Sequence, residues 1–256
     1  MNKNLGFDTL NMIDLFENKI DTSSVILHIP HSSTFIPSYE GFVSREAVET
    51  QIELLTDFHT EKIFDINGIT KIVTPFSRVF CDVERLKDAD EIMFKSGRGF
   101  FYTHSDNGNM LRIDMNGFKE TVYNDYYLSH HSKLKQEVEN KLNQFGTALI
   151  IDCHSFSDTP FESDIDKELK RPDICIGTDS YHTPKHLLDL FVNHFWEQGF
   201  TVGVNHPYSG TMIPMDYYHK NSNVHGIMIE VNRKLYIDFD NVKTLNEIIT
   251  ELFKTL

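Results

Sequence analysis

Residues 148–155 have the sequence ALIIDCHS, in which an apolar run leads into an aspartate, a cysteine and a histidine. A short strand that is apolar nearly throughout is typical of a sheet covered on both faces by helices. In an open α/β sheet, ligands gather beyond the carboxyl ends of the strands. The stretch therefore predicts a buried strand over Ala148–Cys153 with candidate functional side chains at its end.

The rest of the sequence alternates similar short runs with segments of helical period. Helices are predicted over about Arg45–Phe64, over about Glu120–Phe145 with Gly146 as the stop, from Thr183-Pro184 to before Gly199, and over Leu245–Phe253. Alternation of strands and helices predicts an α/β layered domain. The other predicted strands are Val25–Ile29, Ile69–Thr74, Val79–Val83, Ile174–Gly177, Thr201–Asn205 and Ile227–Val231.

Composition and charge restrict the partners that the chain is expected to have. The 256 residues include 24 Lys or Arg and 38 Asp or Glu, a formal net charge of −14 that would repel nucleic acid. No run approaches the ~20 apolar residues needed to span a bilayer. Cys81, Cys153 and Cys175 follow no disulfide framework, as in reduced cytoplasmic proteins. We therefore expect a cytoplasmic protein that acts on a small polar molecule; its oligomeric state is not predicted.

A single domain over residues 1–256 is expected, because no repeat, low-complexity tract or linker divides the chain. The stretch from Leu86 to Gly117 has neither helical nor strand period and contains four glycines. A long loop in a compact domain is usually functional. We expect a loop or lid at about 86–117.

Three predicted strand ends carry groups that can bind a metal ion or move a proton. His31 follows the strand Val25–Ile29, His154 follows Ala148–Cys153, and Glu230 lies near the end of Ile227–Val231. An open catalytic zinc site needs three protein ligands and a free position for water. A lone histidine after a strand is more often a hydrogen-bonded structural residue; for the two together, the structural and metal-binding roles are equally compatible with the pattern. Asp57 and His59 would point about 200° apart on the predicted helix, so they are not expected to bind one ion together.

At these same residues the chain resembles the N-formylglutamate amidohydrolase family, whose members are zinc-dependent amide hydrolases. The resemblance implies a three-layer α/β/α fold around a mixed sheet, similar to that of zinc exopeptidases. More distantly, the His…His-Ser…Glu order is similar to zinc carboxypeptidases and N-acetylmuramoyl-L-alanine amidases. The matching segments occur in the family's order between Val25 and Asp238: VILHIPHSSTFIP, LLTDFHTEKIFD, FSRVFCDVERL, YYLSHHSKL, LIIDCHSFSD, RPDICIGT and GIMIEVNRKLYID.

The resemblance implies a role for each residue of a metal centre. His31, Asp57 and His154 would bind one divalent ion, with Asp82 or Asp152 as alternatives to Asp57. Zinc is expected, although manganese, cobalt and iron accept the same ligand types. Zinc lowers the pKa of bound water from 15.7 to about 7, which makes hydroxide available at neutral pH.

The resemblance also implies residues that move protons and bind substrate. Glu230 would be the general base, and Arg78, Arg85 or His131 would help to stabilise the oxyanion. Arg85, Arg233 and Gly210 would bind a small anionic amino-acid derivative, since guanidinium groups pair well with carboxylates. The arginines are alternatively explained as salt-bridge partners of Asp82 or Glu84.

Two segments depart from the pattern of the glutamate-specific enzymes. YSGTMIPMDYY has Pro214, Met215 and Asp216 where those enzymes carry Thr-Arg-His, and Glu84 replaces the asparagine of their Asp-x-Asn-Arg-Pro motif. A lost arginine and an added carboxylate would weaken binding of a dianionic substrate. The expected activity is hydrolysis of the amide of an N-acyl amino acid such as N-formyl-L-glutamate. The alternatives are a peptide, peptidoglycan amide or ester as substrate, or a catalytically silent relative that binds a metabolite.

Overall fold

The structure is a computed structural model that describes residues 21–87 and 91–256. Within these residues six strands form one sheet in the order β2-β1-β3-β6-β4-β5. β4 runs antiparallel to β6, and all other neighbours are parallel, so the sheet is mixed. The strands are β1 (Val25–Ile29), β2 (Thr70–Val73), β3 (Ala148–Phe156), β4 (Ile174–Gly177), β5 (Val202–Val204) and β6 (Val224–Asn232).

Helices cover both faces of the sheet. The helix α4 packs Leu134 and Val138 against Ile26 and Ile150 on one face. The helices α2, α5 and α6 contribute to the larger apolar cluster on the other face. The predicted α/β class and its mixed central sheet are thus confirmed. The α-helices are α1 (Arg45–Leu55), α2 (Thr60–Ile63), α3 (Phe118–Val122), α4 (Leu128–Phe145), α5 (Lys185–Glu197) and α6 (Phe239–Phe253), and a π-helical turn at Tyr123–Tyr127 joins α3 to α4.

The helix predicted over Arg45–Phe64 is wrong in one respect that matters for the site. The chain leaves the helix after Leu55 and re-enters it at Thr60, and His59 has a left-handed backbone with φ 65°. Asp57 therefore lies in a break between two helices and not on a helix. Its backbone N–H donates to the carbonyl of His31 at 3.0 Å, which ties the break to the loop after β1.

The strand predicted over Val79–Val83 is also wrong. This segment consists of turns, and Val79, Phe80 and Val83 are fully buried in a second apolar cluster beside the sheet. Aromatic residues from the segment 86–117 complete the cluster, among them Phe100 and Tyr102. Burial on all sides gives an apolar turn segment the same sequence pattern as a buried strand.

The packing of α4 on the sheet gives a direct stability prediction. Leu134→Ala should lower the free energy of unfolding by about 2–5 kcal/mol, because this fully buried side chain would leave a cavity. Leu128→Ala on the same helix should cost less than about 1 kcal/mol, because Leu128 is largely exposed. Urea denaturation of both variants checks the difference; equal losses would contradict the described orientation of α4.

Candidate active site

Parallel pairing aligns the carboxyl ends of the three central strands, and the candidate residues meet there. In the register of the sheet, His28 on β1 lies beside Asp152 on β3, and His154 on β3 lies beside Glu230 on β6. His31 follows β1, and its ring centroid lies 5.0 Å from that of His154. The structure thus brings His31, His154 and Glu230 to one buried edge of the sheet, each less than a tenth exposed.

Asp57 faces the Nδ1 side of both histidines. Its Oδ2 lies 3.1 Å from Nδ1 of His154 and 3.8 Å from Nδ1 of His31. The backbone N–H of Ser155 donates to the same oxygen, and Arg233 donates to Oδ1 at 3.0 Å. Among the described residues, Nδ1 of His31 is buried and has no hydrogen-bond partner.

The Nε2 side of each histidine faces a different buried carboxylate. Nε2 of His31 lies 3.0 Å from Oδ1 of Asp82, and Nε2 of His154 lies 3.2 Å from Oδ1 of Asp152. Asp152 also accepts a hydrogen bond from the backbone of Met212 at 3.0 Å. Each histidine is therefore held between two carboxylates, with Asp57 shared on one side.

Glu84 is a site residue that the motif comparison noted only as a departure. Its Oε1 lies 3.2 Å from Nε2 of His154 and 3.6 Å from Nδ1 of His28, and its Oε2 lies 3.5 Å from Nε2 of His31. The added carboxylate thus lies among three imidazoles.

A buried chain of side chains continues behind Asp152. Nδ1 of His28 lies 2.7 Å from Oδ1 of Asp152, and Nε2 of His28 lies 2.8 Å from Nε2 of His130. Nδ1 of His130 lies 3.2 Å from the hydroxyl of Thr74. Sequence reasoning missed His28, although a histidine within the apolar strand VILHI was a signal that this position has a polar partner.

The predicted arginines are paired with carboxylates inside the site. Arg78 donates to Oδ2 of Asp82 from Nε at 3.1 Å and from Nη2 at 2.9 Å. Arg233 donates to Asp57, to the carbonyl of Leu54 and to the hydroxyl of Ser155. Nη1 of Arg85 lies 3.4 Å from Glu91, and its buried Nε lies 3.8 Å from Oδ2 of Asp82 without a hydrogen bond to any described residue. The alternative prediction, that the arginines form salt bridges within the protein, is thus confirmed for Arg78 and Asp82.

The other predicted residues lie at the margin of this cluster. Nε2 of His131 donates to the carbonyl of Val83 at 2.7 Å, so this nitrogen is already used. Gly210 has φ 92°, and its carbonyl packs against Gly177, where a Cβ would collide with that oxygen. The close approach brings the segment that contains Met212 to Asp152.

The segment 86–117 supports the site from the side. Except for a 3₁₀ helix at Ile92–Ser96, its described residues are in turns and isolated bridges. Tyr102 is fully buried, and its hydroxyl donates to Oδ2 of Asp82 at 2.6 Å. This contact was not anticipated, because the segment has no periodic pattern that orients its side chains.

The carboxylates respond differently to burial. Burial disfavours the charge of Asp82, but Arg78 and His31 outweigh it and hold the pKa well below its usual range. Burial of Asp57 is likewise outweighed by hydrogen bonds from His154 and His31, which lower its pKa. Burial raises the pKa of Glu230 to about 8; His154 opposes the rise, and the negative charges of Asp57 and Glu84 add to it.

Comparison with known proteins now gives the class and the family. The chain is a hydrolase of the amidohydrolase type. It belongs to the N-formylglutamate amidohydrolase family, whose family model matches residues 23–237. This confirms the family resemblance stated from the motifs.

Two solved structures share the fold. One is an N-formylglutamate amidohydrolase from Ralstonia eutropha JMP134, with a TM-score of 0.78 and 21% identity, covering 90% of this chain and 91% of that one. The other is the gene product Atu2144 from Agrobacterium tumefaciens, with a TM-score of 0.65 and 16% identity, covering 91% of this chain and 92% of that one. No curated protein matches the sequence. None of the helices in the described part of the chain is long and apolar enough to cross a membrane.

The raised pKa of Glu230 predicts a pH-dependent effect of Glu230→Gln on the stability of the metal-free protein. The pKa of Glu230 is about 8 in the folded chain and near 4.5 when unperturbed. Between these pH values the unfolded chain releases the proton and the folded chain keeps it. The free energy of unfolding of the wild type therefore falls as the pH rises from 4.5 to 8. The glutamine variant has no such loss. It should match the wild type below about pH 4.5 and exceed it by roughly 5 kcal/mol well above pH 8.

Urea denaturation in the presence of a chelator at several pH values measures this difference. Glu247→Gln, a change in an exposed carboxylate that pairs with Lys243, is the control and should show no such trend. A difference between Glu230→Gln and wild type that does not change with pH would contradict the raised pKa.

Proposed function

We propose that the protein is a metal-dependent hydrolase that cleaves the amide bond of an N-acyl amino acid such as N-formyl-L-glutamate. The observation that carries the proposal is the pair His31 and His154, whose Nδ1 atoms both face Oδ2 of Asp57. Membership of the N-formylglutamate amidohydrolase family supports the reaction class. The similarity to the N-formylglutamate amidohydrolase from Ralstonia eutropha supports the substrate type.

The residues present fit one divalent ion bound by His31, Asp57 and His154. A metal-bound histidine generally donates its other ring N–H to a carboxylate, which fixes the tautomer. Asp82 and Asp152 occupy that position on the Nε2 atoms of His31 and His154. The Nδ1 atoms then remain for the ion, and two imidazole nitrogens with a carboxylate oxygen are a normal ligand set for zinc.

A second ligand set uses Glu84 in place of Asp57. One ligand atom from each of His31, Glu84 and His154 lies within 4.8 Å of the others. The Nε2 atoms that face Glu84 are, however, already close to Asp82 and Asp152. We therefore assign the catalytic ion to the Asp57 side.

In the proposed reaction Glu230 accepts a proton from the attacking water and passes it to the leaving amine. A bound divalent ion supplies a Lewis acid that polarises the scissile carbonyl and makes water more acidic. Arg78 places a positive charge close enough to favour the ionised form of Glu230. We also propose Arg78 as an oxyanion donor. His131 was expected in the same role, but its Nε2–H donates to the carbonyl of Val83 and burial lowers its pKa, so the neutral ring has no proton on Nδ1 to donate.

Substrate binding is assigned to Arg85 and to the backbone near Gly210. The guanidinium group of Arg85 is about a third exposed, and its Nε makes no hydrogen bond to a described residue, so this group offers donors for a substrate carboxylate. Arg233 was expected in the same role, but its hydrogen bonds to Asp57, Leu54 and Ser155 favour a positioning role.

Glu230→Gln tests the role of the general base. The variant should retain the bound metal and the fold but lose about 10²–10⁴-fold in turnover, because the amide cannot accept the proton of the water. Formate release from N-formyl-L-glutamate measures the rate, and Glu247→Gln should keep the wild-type rate. A near-normal rate in Glu230→Gln would remove Glu230 from this role.

The same assay with a substrate panel tests the bond that is cleaved. Hydrolysis of esters, peptides or muramoyl peptides, with none of N-formyl amino acids, would replace the proposed substrate class. Inactivity on every compound, with metal bound, would favour a relative that only binds a metabolite.

Metal content tests the ligand assignment. Elemental mass spectrometry of the purified protein should show that His154→Ala and Asp57→Asn each lose an ion that the wild type binds. Asp65→Asn is the matched control, because Asp65 is an exposed carboxylate paired with Lys71. An Asp57→Asn variant with undiminished metal content would exclude Asp57 as a ligand.

A further inference from the structure

A second group of metal-ligand side chains lies beside the proposed centre and has no role in the proposed reaction. One ligand atom from each of His28, Glu84 and Asp152 lies within 4.8 Å of the others. Oδ1 of Asp152 and Oε1 of Glu84 lie 2.7 Å and 3.6 Å from Nδ1 of His28. Ligand atoms about 2.0–2.2 Å from one ion lie roughly 3 Å apart, so these separations suit a shared cation.

The surroundings of His28 orient its Nδ1 lone pair toward this group. His28 is fully buried, and its Nε2 lies 2.8 Å from Nε2 of His130. Nδ1 of His130 in turn lies 3.2 Å from the hydroxyl of Thr74. If His28 donates its Nε2–H to His130, and His130 donates its Nδ1–H to Thr74, every ring nitrogen is satisfied and Nδ1 of His28 is left to bind a metal.

The alternative polarity of the chain needs no metal ion. Thr74 would then donate to His130, His130 to His28, and Nδ1–H of His28 to Asp152. This polarity leaves Glu84 without a donor from His28, so Glu84 shares with Asp152 the Nε2–H of His154, which lies 3.2 Å from each of them. A second cation accounts for both Glu84 and the short contact between His28 and Asp152.

We propose that His28, Glu84 and Asp152 form a second divalent-cation site next to the catalytic centre. One imidazole and two carboxylates are ligands for Zn²⁺ or Mn²⁺. The ion would be held on the opposite side of the His154 ring from Asp57, with His154 keeping its Nε2 proton. The inference rests on the proposed function only for the assignment of the first ion to His31, Asp57 and His154.

The added positive charge has a use in the proposed reaction. The site contains the carboxylates Asp57, Asp82, Glu84, Asp152 and Glu230, whereas its arginines are Arg78, Arg85 and Arg233. A second cation would reverse the excess of negative charge that Glu84 adds. An acidic substrate could then bind despite that carboxylate.

The test counts ions bound by the full chain after removal of metal with a chelator. The protein is titrated with Zn²⁺ alone or Mn²⁺ alone, and the bound metal is measured by elemental mass spectrometry and by calorimetry. The wild type should bind two ions. Glu84→Gln should keep only the ion at His31, Asp57 and His154, and Asp57→Asn should keep only the ion at His28, Glu84 and Asp152. His206→Ala is the matched control, because Asp166, Glu168 and His206 form another candidate group at a more exposed position.

Each outcome separates this inference from the proposed function. One ion in the wild type, lost in Asp57→Asn and retained in Glu84→Gln, would overturn the second site and leave the first assignment standing. Loss of the second ion in His206→Ala but not in Glu84→Gln would place it at the surface group and overturn the proposal. Mn²⁺ electron paramagnetic resonance of the wild type needs no variant to fold: spin coupling between two ions supports the site, and an uncoupled six-line spectrum at two equivalents overturns it.

Discussion

The burial of several carboxylates at one edge of the sheet is the constraint on which the rest of the site depends. A buried charge is tolerated only when it is paired and hydrogen-bonded. Asp82 receives hydrogen bonds from Arg78 and Tyr102, and Asp57 receives them from Arg233 and Ser155. Segments far apart in the sequence must therefore meet here. The second apolar cluster serves this purpose, because it holds Tyr102 and the turn around Asp82 against the sheet.

The arginines of the site compensate buried carboxylates of the protein. In the sequence they are candidates for binding two substrate carboxylates, but in the structure Arg78 and Arg233 first compensate charges of the protein itself. Buried guanidinium groups that hold Asp57 and Asp82 also fix the orientation of His31 and His154. The arginines thus contribute to the geometry of the centre before any substrate arrives. Arg85 also pairs with Asp82 and Glu91, but it is more exposed than Arg78 or Arg233.

The fold was largely predictable because a doubly covered strand has a distinctive apolar pattern, and β1 and β4 lie where that pattern placed them. His31, His154 and Glu230 were predictable as strand-end residues, since parallel pairing brings such ends together. The position of Asp57 was not, because the helical period continues across the break at Thr56–His59. Glu84 and Tyr102 reach the site through turns and buried contacts that leave no periodic signal in the sequence.

The charges around Glu230 determine how readily its carboxyl group ionises. Its Oε2 is buried without a partner among the described residues, and its pKa rises to about 8 because burial and neighbouring carboxylates disfavour the anion. A cation bound between His31, Asp57 and His154 would reverse the sign of the local charge and favour the same anion. Because a ligand that binds only the folded state stabilises it, metal binding, folding and the ionisation of Glu230 are linked. In the proposed site, the unfavourable environment of this carboxyl in the metal-free chain would follow from charges that balance only when a cation is bound.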